Sequence, residues 1–186
     1  MKEIHYNTQT QNPSDIVHLR WMKMLGIQNV MGLNVLDLGC GSGYLCRRFL
    51  KEEPENIIGV DIELPIDHDG DRDGLQFLQI DLNEKDWVSS LLGAIVPERF
   101  DLVLAFDIIE HLKSPIDFLK SVQTLLNDSS RLVLTTPNTN SLERLFFPKT
   151  WSGAIDADHK TLFNAYSLQF LLQRAGFFSV YLHARI

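Results

Sequence analysis

Gly39, Gly41 and Gly43 alternate with Cys40 and Ser42 directly after the apolar run 33–38, and residues of these types at this spacing suit a nucleotide-like ligand. Lacking a Cβ, the glycines let the backbone take positive φ and come close to what it holds. Two further apolar runs lead to acids: Asn56–Asp61 ends on Asp61 itself, and 75–80 runs into Asp81. Asp61 follows Gly39 at roughly the twenty residues where nucleotide-binding folds set a carboxylate against ribose hydroxyls. An acid after a strand is also a common turn residue, and it is the register with the glycine turn that favours a ligand role. A third group follows Phe100–Phe106, in Asp107-Ile-Ile-Glu110-His111-Leu112. Glu110, His111 and the distant His159 can each take a proton from a hydroxyl or amine, which makes them the candidate bases. Glu110 and His111 have an equally ordinary alternative use, holding their loop through backbone hydrogen bonds.

Such residues need strands that end together and helices that cover them. Residues 33–38, 56–61, 75–80, 100–106, 131–136 and 177–184 read as six strands, and 44–53, 83–95, 114–126 and 167–175 as helices between or after them. The helix at 83–95 places Trp87, Val88, Leu91 and Leu92 on one face. Ser114, Pro115 and Asp117 supply the cap, first turn and acid of the next, Asn127-Asp-Ser-Ser130 breaks it, and Gly176 closes the last. This alternation predicts an α/β fold, a doubly wound, Rossmann-like and mostly parallel sheet with ligands at the carboxyl ends of the strands. Asp37, Gly39, Asp61, Asp81 and Phe106 all fall at such ends. Residues 1–13 read as a polar arm, after which Ser14 caps a helix in which Ile16, Val17, Leu19, Arg20, Met22, Lys23 and Met24 carry a mixed amphipathic pattern that ends near Gly26. The segment 1–30 is expected over the cleft, and 139–163, with a short helix at 141–147, as its lid. Residues 1–186 read as a single domain, with no repeat or linker.

Composition narrows the function classes. A chain of 186 residues with 45% apolar and 22% charged side chains has enough material for one core. A net charge of −7 without clustered Lys and Arg argues against nucleic acid as partner and favours a small-molecule acceptor. Cys40 and Cys46 fit neither a disulfide framework nor a C-x-x-C pair, and both read as structural thiols in a reducing, cytoplasmic setting. The first residues lack a signal-peptide pattern and no apolar run reaches membrane-spanning length. Asp69, Asp71, Asp73 and Gly74 match half of a calcium loop, but Ile80 stands where a bidentate Glu is needed, so a solvated acidic loop is expected there.

The glycine stretch Asp37-Leu-Gly-Cys-Gly-Ser-Gly43 resembles the acid-x-G-x-G-x-G motif of class I S-adenosylmethionine-dependent methyltransferases, with Asp61, Asp81-Leu82 and Glu110-His111-Leu112 at corresponding places. The resemblance covers roughly residues 35–178. It implies that Gly39, Cys40 and Gly41 hold the methionine part of the cofactor and that Asp37 orients it. It also implies that Asp61 accepts from both ribose hydroxyls, Ile62 packs on the adenine, Asp81 and the Leu82 amide read its edge, and Phe106 lines the wall near the sulfonium. The activity implied is methyl transfer to a small-molecule acceptor, most simply at oxygen, with S-adenosylhomocysteine as product. An NAD-dependent oxidoreductase is the competing nucleotide enzyme, but its G-x-G-x-x-G pattern needs glycine or alanine where Tyr44 stands. A non-catalytic S-adenosylmethionine-binding protein of the same fold is the other alternative. Asp107-x-x-Glu110-His111 with Asp158-His159-Lys160 is similar to the metal-binding pattern of small-RNA 2′-O-methyltransferases. Those carry Glu in place of Asp107 and a further His not placed here, so no metal ligand is assigned. Family members usually end on a seventh, antiparallel strand, for which nothing follows Ile186.

Overall fold

In the computed structural model, which describes residues 13–27, 29–65 and 74–182, the apolar runs form a five-stranded sheet. The strands are β1 (Asn34–Leu38), β2 (Asn56–Asp61), β3 (Leu75–Gln79), β4 (Phe100–Phe106) and β5 (Leu126–Thr135), in the order β3-β2-β1-β4-β5. β1 runs parallel to both β2 and β4, and β2 runs parallel to β3. Strand order therefore reverses between β1 and β4, the point at which doubly wound sheets bind ligands. β1, β2 and β4 are buried almost end to end, which explains why they read as continuous apolar runs rather than alternating ones.

The described residues fall into two compact units, 13–106 with 126–133, and 107–125 with 134–182. In the first, α1 (Pro13–Met24), α2 (Tyr44–Phe49) and α3 (Trp87–Ala94) accompany the sheet. Its core joins Met22 of α1, Cys46 and Phe49 of α2, and Val35, Ile57, Leu75, Leu102 and Leu104 of the strands. In the second, α4 (Pro115–Thr124) meets α7 (Ala165–Arg174), while α5 (Leu142–Phe146) and α6 (Ser152–Ile155) are single turns between them in sequence. α7 opens on a reciprocal cap, Asn164 with Ser167. It ends at Gly176, whose φ of 100° only glycine adopts easily, with the Phe177 amide reaching back to the Leu172 carbonyl.

Several expectations change. The helix expected at 44–53 is α2 followed by a 3₁₀ turn at Leu50–Glu52, and Glu53 leaves the helical region at φ 52°. Pro54 follows Glu53 and disfavours helical backbone at the residue before it. The helix expected from Asn83 starts at Trp87, because the Asp81 carboxylate takes the Asn83 N–H at 2.8 Å and holds residues 81–84 in a turn. The expected break at residues 127–130 is instead the start of β5, which lies at the sheet edge where polar side chains at 127–129 face water. No sixth strand forms among the described residues: 177–182 are not paired with any strand, and Phe178 and Tyr181 are 88% and 90% exposed. In α1, Ile16, Val17 and Met24 of the mixed pattern are exposed while His18 and Met22 are buried. The polar arm at 1–12, most of the acidic loop at 66–73 and residues 183–186 lie outside the described residues.

Candidate functional site

Gly39, Gly41 and Gly43 all take positive φ, at 79°, 53° and 71°, so the turn after β1 is built from the conformation the sequence allows. β2 holds that turn in place. The Val60 carbonyl accepts from the Gly39 and Cys40 amides at 2.8 and 3.0 Å, and Asp61 Oδ2 accepts from the Gly41 amide at 2.8 Å. A Cβ on Gly41 would meet nothing within 4 Å, so this part of the turn faces open space. Phe77 of β3 packs against Gly43 and Gly59. A Cβ on Gly43 would come within 2.5 Å of its ring, and one on Gly59 within 2.6 Å of the ring and 3.0 Å of Cys40 Sγ. Gly59 and Phe77 thus pack closely against the turn. Sequence reading missed both, because the clash that requires Gly59 comes from a residue on the neighbouring strand.

Asp37 is buried and accepts from the Cys46 thiol at 3.4 Å. The hydrogen bond with Cys40, burial and the charge of Asp37 all push the Cys46 thiol well up from its ordinary value. Cys40 is raised too: its hydrogen bond with Cys46 favours the thiolate, but burial and the charges of Asp37 and Asp61 outweigh it. Both sulfurs are therefore neutral packing groups rather than nucleophiles.

Along the same carboxyl edge, Asp61 is half-buried, and its Oδ1 also accepts weakly from the Glu63 amide at 3.4 Å. Ile62 is 59% exposed beside it. Asp81 Oδ1 accepts from both the amide and the side-chain nitrogen of Asn83, while the Leu82 side chain is buried. Phe106 is covered by His18 of α1, the two rings stacked with centroids 4.5 Å apart and planes 18° off parallel. His18 is a site neighbour that sequence reading did not single out; its only signal was a polar residue on the inward face of α1.

In the second unit, Glu110 and His111 lie on a 3₁₀ turn, Ile109–His111, entered through Asp107 at φ 49°. Thr135 stabilises that left-handed residue: its carbonyl and hydroxyl oxygens accept from the Asp107 amide, and its hydroxyl donates to Asp107 Oδ1 at 2.8 Å. His159 arrives from far along the chain because the Glu110 carbonyl accepts from the Lys160 and Thr161 amides at 2.8 and 3.1 Å. The Lys160 ammonium donates to the His111 carbonyl. The rings of His111 and His159 stand 4.6 Å apart. His159 Nδ1 lies 3.3 Å from the Gly153 carbonyl, and its Nε2 faces Asp156 Oδ2 at 3.7 Å. It is Asp156, not Asp158, that faces this histidine.

Glu110 is 0% exposed, and neither carboxylate oxygen has a hydrogen-bond partner of good geometry; nor does the buried Thr136 hydroxyl. Burial, reinforced by the negative charge of Asp107, pushes Glu110 up to about 7, against the opposing pull of its own backbone amide, Thr136 and His159. A carboxyl poised there can hold or release a proton near neutral pH.

A doubly wound sheet with a glycine turn after β1 and acids after β2 and β3 defines a nucleoside-cofactor-binding protein. The acids favour a cofactor carrying an ammonium, a sulfonium and ribose hydroxyls over a pyrophosphate. The residues present fit such a group, with open space at Gly41, carboxylates at Asp37 and Asp61 and an uncovered apolar side chain at Ile62. A family model described as a methyltransferase domain matches residues 7–182. A ubiquinone biosynthesis O-methyltransferase from Bradyrhizobium diazoefficiens is 33% identical over 112 residues, 59% of this chain and 42% of that protein. A tRNA U34 carboxymethyltransferase from Methylococcus capsulatus is 30% identical over 125 residues, 63% of this chain and 36% of that protein. The chain thus matches less than half the length of these two curated relatives. A solved S-adenosylmethionine-dependent methyltransferase from Archaeoglobus fulgidus superposes with a TM-score of 0.63 at 25% identity, covering 87% of this chain and 68% of that one. The chain belongs to the class I S-adenosylmethionine-dependent methyltransferases, and S-adenosylmethionine is its cofactor. No helix among the described residues is long and apolar enough to cross a membrane.

Proposed function

We propose that the chain acts as one methyltransferase domain in the cytoplasm and moves a methyl group to a hydroxyl of a small-molecule acceptor. The cofactor, when bound, supplies a methyl already activated by its sulfonium, so the protein has to align the partners, exclude water and remove the acceptor's proton. Asp37 and the Gly39–Cys40–Gly41 turn bind the methionine end, Asp61 the ribose, Ile62 the adenine face, and Asp81 with the Leu82 amide the adenine edge. Phe106, backed by His18, supplies an apolar wall. Glu110, His111 and His159 take the acceptor proton, and residues 139–163 are the segment from which acceptor contacts are drawn.

The observation that carries the hydroxyl reading is Glu110 itself, a buried carboxyl held near 7 within reach of two imidazoles. A group with that value is matched to proton removal at neutral pH. The net charge of −7 supports a small acceptor over RNA, and O-methylating enzymes stand among the relatives beside a tRNA-modifying one. The test is transfer of labelled methyl from S-adenosylmethionine to a panel of phenols and catechols, run beside bulk tRNA. Label in a phenol ether supports the proposal. Label in tRNA alone replaces the acceptor class, and cofactor binding without any transfer favours a non-catalytic binder.

A further inference from the structure

We propose that Arg47 is a positioning residue for the cofactor: it holds the glycine turn in the shape that receives S-adenosylmethionine and acts through that turn rather than on the cofactor. The proposal rests on the cofactor reading of the turn given above, and it concerns a side chain of α2 that the proposed chemistry does not use.

Arg47 is half-buried, and its side chain reaches back past the start of α2, where Nη1 donates to the Ser42 carbonyl. Its guanidinium carbon lies over the Phe77 ring, 5.0 Å from the centroid. A planar guanidinium stacked on an aromatic face presents its donors in a fixed fork. Gly43 is what admits both groups. A Cβ there would stand 2.9 Å from Arg47 Nη1 and 2.5 Å from the Phe77 ring, whereas a Cβ on Gly41 would meet nothing within 4 Å. The glycines of the turn therefore divide: Gly41 leaves room for a ligand, and Gly43 leaves room for Arg47 and Phe77.

The hydrogen bonds of the turn show what this contact adds. From β2, the Val60 carbonyl takes the Gly39 and Cys40 amides and Asp61 takes the Gly41 amide. The next peptide, Ser42–Gly43, is held within the turn and from α2: its N–H goes to the Cys40 carbonyl at 2.9 Å and its oxygen to Arg47. No side chain caps α2 here, since its N-cap is Gly43 itself at φ 71°. Glycine gives such a peptide several backbone shapes of similar energy. Removing the Arg47 donor frees the Ser42 oxygen to turn away, so fewer chains present the turn in its receiving shape. Apparent cofactor affinity falls by that fraction.

The test is calorimetric titration with S-adenosylhomocysteine of the wild-type chain, Arg47→Met and Arg47→Lys, beside urea unfolding of each without ligand. Arg47→Met keeps an apolar stem for Phe77 but no donor, and is expected to weaken S-adenosylhomocysteine by at least about fivefold. Arg47→Lys restores a donor without the planar fork and should recover part of that loss. Leu119→Ala, which truncates a fully buried side chain of α4 in the other compact unit, is the stability control. It should lower the urea midpoint and leave the affinity within about twofold of the wild type. If Arg47→Met lacks a cooperative urea transition, Arg47→Lys decides alone, with a loss of at least about threefold expected. Wild-type affinity in a folded Arg47→Met overturns the proposal and leaves the cofactor site standing. Equal weakening in Leu119→Ala overturns it too, because the loss would then follow from stability. Equal weakening in Arg47→Met and Arg47→Lys removes the donor as the cause and overturns it as well. A wild-type chain that does not bind S-adenosylhomocysteine overturns both the proposal and the cofactor reading beneath it.

Discussion

Replacing Asp61 separates two roles that one carboxylate holds. Its Oδ2 accepts from the Gly41 amide at 2.8 Å in a half-buried setting, and its Oδ1 accepts from the Glu63 amide at 3.4 Å, too long to contribute much. Asp61→Ala removes the first of these, a charge-assisted bond worth about 1.5–3 kcal/mol. For a chain of this size that lowers the melting temperature by about 3–12 °C, at about 2–4 °C per kcal/mol. Asp61→Asn keeps a carbonyl acceptor for Gly41 and is expected to lose only about 1 kcal/mol. Toward the ribose the two substitutions should look alike, since an amide cannot accept from both hydroxyls with the strength of a carboxylate. Each should weaken S-adenosylhomocysteine by about 1–3 kcal/mol, roughly 5- to 150-fold. Urea unfolding without ligand and calorimetric titration with S-adenosylhomocysteine measure the two roles independently. If Asp61→Ala unfolds at the wild-type midpoint, the carboxylate does not hold the turn. If Asp61→Asn binds S-adenosylhomocysteine as tightly as the wild type, it is not the ribose ligand.

Gly59→Ala is expected to destabilise by about 1–3 kcal/mol through its clash with Phe77, and Phe77→Leu in the same chain should recover part of that loss, which a double-mutant cycle of urea midpoints would measure. Glu110 is raised from 4.5 in the unfolded chain to about 7 when folded, so between these values the folded state holds the extra proton and stability falls as pH rises. Glu110→Gln should gain up to about 3 kcal/mol over the wild type at pH 8 and nothing at pH 4.5, in paired unfolding curves; a constant difference across that range would remove the burial argument.

The sheet and the glycine turn were legible because their signals are local. β2 and β4 match their expected bounds, Asn56–Asp61 and Phe100–Phe106, since strands buried on both faces leave unbroken apolar runs. The turn followed from glycines at alternate positions, whereas α7, expected from Ser167, starts at Ala165 because Asn164 is its N-cap and Ser167 answers it from the first turn. Contacts between distant parts of the chain were not legible. Gly59 is required by a ring on another strand, His18 meets Phe106 from α1, and His159 is brought to Glu110 by backbone hydrogen bonds across some fifty positions. The run 177–182 misled for the opposite reason: it has the apolar content of a strand, but nothing among the described residues pairs with it. Asp81 shows a local competition that periodicity does not register, a side chain that captures the amide two residues on and delays α3.

The most direct measurement is a calorimetric titration of the wild-type chain with S-adenosylhomocysteine, and separately with NAD. A glycine turn clamped by Asp61, with acids for ribose and ammonium, is expected to bind one S-adenosylhomocysteine per chain and to give no saturable heat with NAD. Saturable NAD binding with no response to S-adenosylhomocysteine would contradict the cofactor site described for this chain.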